Sequence, residues 1–205
     1  MKIMVVGAGQ MGAGIAQVSA QAGFTTYLND LNREIINKGM GGIENNLTRD
    51  VQKGKMTEQE KEKILARIQA SDQLSPAKEC DLVIEAIVEN LEIKQSLFKQ
   101  LDEICPPKTI LASNTSSLPI TEIAAVTKRP EKVIGMHFMQ PVPVMTLVEI
   151  IRGLATSEET YQKVEEISRA MGKFPVSVRD VPGFVSNRVL QVMINEAIYW
   201  GYEGV

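Results

Sequence analysis

Two residues that can move a proton, His137 and Glu149, lie close together in the sequence. His137 is the single histidine among 205 residues, and its ordinary pKa suits it to accept the proton released when a secondary alcohol is oxidised. Glu149 follows a proline-containing turn and lies in an apolar run, where an unpartnered carboxylate would be costly to bury. A carboxylate beside an imidazole fixes its tautomer and stabilises the imidazolium. The spacing therefore predicts that the chain folds back and pairs the two side chains.

Residue types alone leave other interpretations of this pair open. A lone histidine at the end of a strand is often a structural residue beside a turn, and Glu149 could pair with a structural arginine instead. His137 is nevertheless the only candidate base of this kind in the sequence. Proton transfer through His137 is the sharper hypothesis.

A glycine-rich turn is the second feature with chemical meaning, and it consists of Gly7, Ala8, Gly9, Gln10, Met11 and Gly12. An apolar run precedes this turn, and a helical pattern follows it. In that context the first glycine permits a tight turn, the second lets a pyrophosphate approach the backbone, and the third lets the helix pack on the strand. The helix N-terminus attracts phosphate. The motif predicts a dinucleotide cofactor at this turn.

Asp30 follows the second predicted strand, residues 25–29, and its position selects between dinucleotides. A carboxylate there accepts hydrogen bonds from the adenosine ribose hydroxyls and repels a 2′-phosphate, which favours NAD over NADP. The alternative is that Asp30 only caps the next helix.

The elements that must position these residues alternate between strand and helix. Apolar runs predict strands at residues 2–6, 25–29, 80–86, 109–112, 132–136, 146–151 and 175–178. Capping boxes at residues 57–60 and 156–159 predict the starts of two of the helices. We therefore expect an α/β fold of the Rossmann type, with a doubly wound, mostly parallel sheet of seven or eight strands.

Two stretches depart from this alternation. Residues from about 31 to 70 are charged and helical, with a break at Lys53-Gly54-Lys55, which predicts a helical hairpin inserted after the second strand. Residues 183–205 form one helical pattern whose apolar stripe needs another surface to cover it. The expected organisation is a dinucleotide-binding domain over 1–182, followed over 183–205 by the first helix of a truncated, all-α C-terminal domain.

Composition narrows the range of partners. The net charge is −3, and the two cysteines, Cys80 and Cys105, have no metal-binding spacing. We therefore expect no nucleic-acid partner, no membrane association and no metal site. Two free thiols favour a reducing, cytoplasmic location.

Five segments in order resemble the short-chain L-3-hydroxyacyl-CoA dehydrogenases, especially bacterial 3-hydroxybutyryl-CoA dehydrogenases: GAGQMGAGIAQ, DLVIEAIVEN, ASNTSSL, GMHFMQPVPVMTLVEIIRG and PGFVSNRVL. The resemblance runs from residue 2 to about residue 200. It implies an NAD-dependent enzyme that interconverts an L-3-hydroxyacyl-CoA and the 3-ketoacyl-CoA, with 3-hydroxybutanoyl-CoA as the expected substrate. His137 and Glu149 would be its acid–base pair, in fatty acid β-oxidation or butanoate metabolism.

The resemblance implies roles for four further residues. Ser116 matches a serine that contacts substrate or nicotinamide, and Asn187 matches an asparagine that bonds near the reacting oxygen. Helix capping is the alternative for both. Glu89 and Lys94 match positions near the NAD ribose and nicotinamide. Without the resemblance, both would be interpreted as solvated charges at a helix start.

On the hairpin, Asn46 and Lys53 match family positions near the coenzyme A portion. A basic corner there could meet nucleotide phosphates. The alternative is an ordinary solvated face of a charged helix.

The sequence also departs from the family pattern. Gln140 replaces the usual asparagine that contacts the cofactor, and its extra methylene predicts weaker positioning of the nicotinamide. Thr146 stands where lysine is common, which alters surface charge.

Family members continue into a helical domain that forms the dimer, so we expect a homodimer where that domain is present. The alternative function is a catalytically impaired NAD-binding remnant, or a crystallin-like structural protein of the same ancestry. Hydroxy-acid dehydrogenases with a catalytic lysine are disfavoured, because no lysine precedes Asn187 in the last helix.

Overall fold

A computed structural model describes residues 1–204 of the chain. Its strands are β1 (Lys2–Val6), β2 (Thr25–Asn29), β3 (Ile68–Ser71), β4 (Leu82–Glu85), β5 (Ile110–Ser113), β6 (Val133–Phe138), β7 (Leu147–Arg152) and β8 (Phe174–Arg179). Its α-helices are α1 (Gln10–Gln21), α2 (Arg33–Gln52), α3 (Glu58–Leu65), α4 (Leu91–Ile104), α5 (Ile120–Ala124), α6 (Glu158–Ala170) and α7 (Ser186–Tyr202).

The strands described within residues 1–204 form one eight-stranded sheet in the order β3-β2-β1-β4-β5-β6-β7-β8. Neighbouring strands are parallel, except that β6 and β7 are antiparallel. The strand order reverses between β1 and β4, because β2 and β3 lie on one side of β1 and β4 lies on the other. Such a switch point opens a crevice at the carboxyl ends of the strands. The predicted doubly wound, mostly parallel sheet is confirmed.

Alternating side chains of the strands feed two cores, one on each face of the sheet. In β1, Ile3 and Val5 join a cluster that includes residues of α1, α2, α3 and α6. Met4 and Val6 face the other way and join residues of α4 and α5. This alternation is what period-two geometry requires of a strand buried on both faces.

The predicted helical hairpin is present, but it is shorter than expected. Helices α2 and α3 form it, and Thr57 caps α3 in the predicted capping box with Glu60. Residues 68–70, which the sequence pattern places in the insert, instead belong to the edge strand β3 beside β2. The insert therefore ends at about Leu65.

Two local predictions need correction. Ser157, not Thr156, is the N-cap of α6, and its hydroxyl accepts from the amide of Thr160, so no capping box with Glu159 forms. The Thr156 hydroxyl donates to the carbonyl of Val133 instead. Strand β6 also extends two residues further than predicted, so His137 lies inside it.

Helix α7 leaves the sheet with its apolar side chains uncovered. Within it, Val189, Val192 and Trp200 are more than half exposed, at 63, 68 and 58 %. Among residues 1–204, no helix combines the length and the hydropathy needed to cross a bilayer. The division of the chain at residue 182 stays a prediction.

Candidate active site

Strands β6 and β7 bring the histidine and the carboxylate together across an antiparallel ladder. His137 is in register with Glu149, so the two side chains leave the same face of the sheet. His137 Nδ1 lies 2.8 Å from Glu149 Oε2. Both residues are buried, at 7 and 2 % exposure. The predicted fold-back and pairing are confirmed, and Nε2 is the ring nitrogen that this bond leaves available.

Glu149 accepts hydrogen bonds on both carboxylate oxygens. The amides of Val185 and Ser186 donate to Oε1 at 3.1 and 2.8 Å, and the Ser186 hydroxyl donates to Oε2 at 2.8 Å. Burial raises the pKa of Glu149, but the hydrogen bonds from His137, Ser186 and Val185 outweigh burial and hold it below the ordinary value. The N-terminus of α7 therefore stabilises an anion here. Among the described residues, Glu149 pairs with His137 and not with a structural arginine.

Phe184, just before α7, packs against the imidazole of His137. Its ring centroid lies 5.9 Å from that of His137, with 56° between the ring planes. Phe184 and Ser186 were missed in the sequence, where only the PGFVSNRVL resemblance marks their neighbourhood. Ser186 in particular is an ordinary helix-start serine by type.

Glu89 holds the loop that carries Ser116. Its Oε1 accepts from the Thr115 hydroxyl at 2.5 Å, from the Ser116 amide at 3.0 Å and from the Ser116 hydroxyl at 3.3 Å. Burial raises the pKa of Glu89, but the Thr115 bond and the charge of Lys94 outweigh burial and lower it. Asn187 donates its amide to the Ser116 carbonyl at 3.1 Å. Ser116, Glu89 and Asn187, predicted separately, thus lie together.

The capping alternatives for Ser116 and Asn187 are wrong. The N-cap positions of α5 and α7 belong to Pro119 and Val185. The loop is also joined to the histidine strand, because Asn114 Oδ1 accepts from the Phe138 amide at 2.9 Å. The Ser116 loop and His137 therefore belong to one connected site.

Lys94 lies beneath this loop. Its side chain is 1 % exposed, and its ammonium bonds Glu85 at 2.5 Å and Glu89 at 3.3 Å. Glu85, also fully buried, accepts from the Ser113 hydroxyl at 2.6 Å. The interpretation of Lys94 as a solvated charge is wrong, and no sequence signal marks Glu85 or Ser113 as its neighbours. Lys94 contacts Glu89 from the protein interior, so it can position that carboxylate.

The glycine-rich turn has the shape that a dinucleotide requires. Gly7 has a φ of +101°, and a Cβ on Gly12 would lie 1.7 Å from the Gly7 carbonyl oxygen. A Cβ on Gly9 would meet nothing within 4 Å, so the space in front of it is open. The N-cap of α1 has no side-chain acceptor, which leaves its first amides for an anion. These features fit a bound pyrophosphate.

Asp30 belongs to the turn rather than to the next helix. Its Oδ2 accepts from the Ala8 amide at 2.9 Å. Asn32 is the residue that caps α2, by accepting from the Glu34 amide at 2.8 Å. The capping alternative for Asp30 is wrong, and its carboxylate lies beside the glycine turn.

A groove of about 570 Å³ runs from this turn along α2. Gln10 and Met11 line one end of the groove, and Asn46 lines it from α2. Gln140 and the prolines after it form another wall. Asn46 also donates to Gln17 Oε1 at 3.2 Å. Lys53 does not line the groove, since it lies exposed at the C-cap of α2. The structure thus brings Asn46 and Gln140 to the dinucleotide turn and leaves Lys53 apart.

The region that the structure describes holds no cluster of three or more metal-ligating His, Cys, Asp or Glu side chains.

The chain is similar to known proteins of one family over nearly its whole length. The family described as 3-hydroxyacyl-CoA dehydrogenase, NAD binding domain, matches residues 2–181. The chain belongs to the 3-hydroxyacyl-CoA dehydrogenase family. The cofactor of this 3-hydroxyacyl-CoA dehydrogenase domain is NAD, in agreement with the turn and Asp30.

Relatives in the family are similar along the whole chain. A probable 3-hydroxybutyryl-CoA dehydrogenase of Bacillus subtilis is 61 % identical over 204 residues, which cover 100 % of this chain and 71 % of the relative. The human mitochondrial hydroxyacyl-coenzyme A dehydrogenase is 48 % identical over 96 % of this chain and 64 % of its own length. The crystal structure of (S)-3-hydroxybutyryl-CoA dehydrogenase from Ralstonia eutropha matches with a TM-score of 0.97 at 47 % identity, over 99 % of this chain and 72 % of that one.

Proposed function

We propose that this chain is an NAD-dependent oxidoreductase that interconverts L-3-hydroxybutanoyl-CoA and acetoacetyl-CoA. The observation that carries the proposal is the buried His137/Glu149 pair at the end of the sheet where the dinucleotide turn lies. The 3-hydroxybutyryl-CoA dehydrogenase names of the relatives support the short-chain substrate. A role in fatty acid or butanoate metabolism and a cytoplasmic location belong to the same proposal.

His137 moves the proton of the reaction. With Nδ1 bonded to Glu149, Nε2 takes the proton of the C3 hydroxyl as the carbon–oxygen double bond forms. The hydride leaves C3 with its two electrons for NAD, which supplies the acceptor when bound. Glu149, held anionic by the start of α7, stabilises the resulting imidazolium. In the reducing direction the imidazolium returns this proton to the oxygen.

The remaining predicted residues are assigned to orientation and binding. Ser116 and Asn187, already bonded to each other, would contact the substrate oxygen and the nicotinamide side. Glu89 orders the Ser116 loop beside the cofactor, with Lys94 behind it. Asp30 would bind the adenosine ribose, Asn46 the coenzyme A portion in the groove, and Lys53 a nucleotide phosphate outside it. Gln140 would reach the cofactor from the groove wall that it forms with the prolines after it.

The test is NADH oxidation with acetoacetyl-CoA by the 205-residue chain and by His137→Gln. We expect wild-type turnover and a fall in kcat of about 100-fold or more in the variant, the scale of a lost general acid–base catalyst. NADH fluorescence titration is the control, because His137 lies outside the pyrophosphate turn and the Kd of NADH should stay within about threefold in the variant.

Two outcomes would contradict the proposal. Saturable NADH binding without any turnover by the wild type would favour the impaired, crystallin-like alternative. Equal turnover by wild type and His137→Gln would remove His137 from the mechanism. The mass of the chain in solution, measured alongside, gives its oligomeric state, whereas the homodimer is expected where the C-terminal helical domain is present.

A further inference from the structure

The segment between β6 and β7 forms one wall of the groove. We call residues 140–145 the proline wall; Gln140, Pro141, Val142 and Pro143 of this segment line the groove opposite α2. Most of the segment is exposed, whereas Val142 is 2 % exposed. The amides of Val144 and Met145 both donate to the Pro141 carbonyl and so curl the segment. The carbonyls of Val142 and Met145 accept hydrogen bonds from outside the segment.

Lys173, in the turn before β8, supplies the donor behind the proline wall. Its ammonium donates to the carbonyls of Val142 and Met145, the latter at 2.8 Å. The residue is only 8 % exposed, and burial lowers its pKa. A buried ammonium is costly to desolvate, and here two main-chain dipoles rather than a carboxylate offset that cost. The segment, which the buried Val142 side chain already joins to the core, is thus also bonded at two carbonyls to the turn before β8.

Helix α1 limits the same wall from the other side. A Cβ on Gly14 would lie 2.8 Å from Val142 Cβ, closer than side chains tolerate. Gly14 lies one helical turn after Gln10, the first residue of α1. The wall is therefore in close contact with Gly14 at Val142 and is bonded to Lys173 at the carbonyls of Val142 and Met145. Its position relative to Gln10 and Met11 sets the width of the groove.

We infer that Lys173 is a positioning residue that fixes the width of the nucleotide groove, and so the affinity for NADH and for the coenzyme A ester, without contacting either. The inference rests on the proposed function for the identity of the second ligand. The His137/Glu149 pair is held separately by the β6/β7 ladder. Loss of the Lys173 bonds should therefore weaken binding and leave the chemical step nearly intact.

The experiment compares Lys173→Met, which removes the donors at similar length, with Lys173→Arg, which keeps a cation and its donors. The control is Lys163→Met on α6, where the lysine is 55 % exposed and pairs with Glu166. For Lys173→Met we expect the Kd of NADH and the KM of acetoacetyl-CoA to rise about tenfold, with kcat within about threefold. This is less than the full effect of the two charged hydrogen bonds lost, because neither bond is made to a ligand. Lys173→Arg should restore most of the affinity, and Lys163→Met should match the wild type.

Gly14→Ala is the independent variant, because its methyl group pushes Val142 from the other side. It should also raise the Kd of NADH and the KM of acetoacetyl-CoA. If Lys173→Met does not fold, Lys173→Gln, which keeps an uncharged donor, takes its place in the comparison with Lys173→Arg. A lower Tm of Lys173→Met with unchanged Kd and KM would overturn the inference, as would a fall in kcat at constant KM. A chain that binds NADH without catalysis would refute the proposed function. The inference about Lys173 would still be tested in that case, because the Kd of NADH is measured without turnover.

Discussion

Glu149 shows how a carboxylate can be buried beside an apolar strand and remain charged. Burial alone raises the pKa of Glu149 and so disfavours the anion that serves as the counter-charge for an imidazolium. Four hydrogen bonds, from His137, Val185 and Ser186, reverse that outcome. Two of the donors are main-chain amides at the start of α7, so no side chain need be charged to hold the anion.

The lowered pKa of Glu149 predicts a dependence of stability on pH. A group whose pKa is lower in the folded than in the unfolded state stabilises the fold above its unfolded pKa of about 4.3, and that stabilisation is lost as the pH falls through the folded pKa. The difference in unfolding free energy between wild type and Glu149→Gln should therefore shrink as the pH falls from about 6 to about 3.

Urea unfolding at a series of pH values measures this difference. The lowered pKa of Glu89 has the same sign, but it acts equally in wild type and variant and cancels in the comparison. Glu158→Gln is the matched control, since Glu158 is 59 % exposed and pairs with Arg152 on the surface. A pH-independent difference for Glu149→Gln would show that the carboxylate is not preferentially ionised in the fold.

Helix α2 reaches the dinucleotide turn only because it carries a glycine where the two meet. A Cβ on Gly39 would lie 2.7 Å from the Ala8 carbonyl oxygen, and Ala8 belongs to the turn itself. Backbone cannot yield as a flexible side chain can. The close approach of α2 to the turn is what forms the floor of the groove.

Gly39→Ala and Gly41→Ala should therefore have opposite effects. The first forces α2 away from the turn and should destabilise the protein by about 1–3 kcal/mol. The second adds a methyl group with nothing within 4 Å, and replacing a glycine within a helix should stabilise by about 0.5–1 kcal/mol. Urea denaturation followed by circular dichroism checks both, and equal effects of the two substitutions would refute the role of this approach.

The elements that the sequence predicts well are those with strong local patterns. β1 is an apolar run directly before the glycine motif, β2 is rich in β-branched and aromatic residues, and α3 has a complete capping box. β3 was missed because Ile68 is its one buried residue and it pairs along a single edge with β2. Its short polar sequence carries no two-residue alternation that could distinguish it from the hairpin.

The site was predictable where residues share a segment and unpredictable where they meet across the fold. His137 and Glu149 belong to one hairpin, so their spacing was informative. Lys94 is buried only because Glu85, from a different element, lies beside it. Ser186 bonds a carboxylate 37 positions earlier in the chain, and no local pattern of a serine at a helix start encodes such a contact.

At the scale of the whole molecule, a well-packed sheet is followed by a last helix, α7, whose apolar side chains are exposed. One core lies on each face of the sheet, and none of the residues of α7 is buried. Cys80 and Cys105 belong to the core on the α4 side, at 0 and 5 % exposure. Their thiols therefore report on the integrity of that core as a unit.

Burial, reinforced by the neighbouring thiol, raises the pKa of Cys80 to about 12, and burial raises that of Cys105 to about 11. Since the thiolate is the reactive form, neither should react with a disulfide reagent in the folded protein at about pH 8. Both should react once urea unfolds the sheet, with a midpoint equal to that from circular dichroism. Cys105→Ser, measured in parallel, assigns the signal, and reaction of either thiol well before that midpoint would reveal local opening of this core.

The antiparallel pairing of β6 with β7 also has an evolutionary consequence. The base and its carboxylate are brought together by one hairpin, whereas the glycine turn, the Ser116 loop and α7 come from separate parts of the chain. A shift of one residue in that pairing would send one side chain of the pair to the opposite face. Genetic recombination with a relative should therefore tolerate breakpoints on either side of residues 137–149 far better than an unequal exchange within them, so the acid–base pair is inherited as a single block.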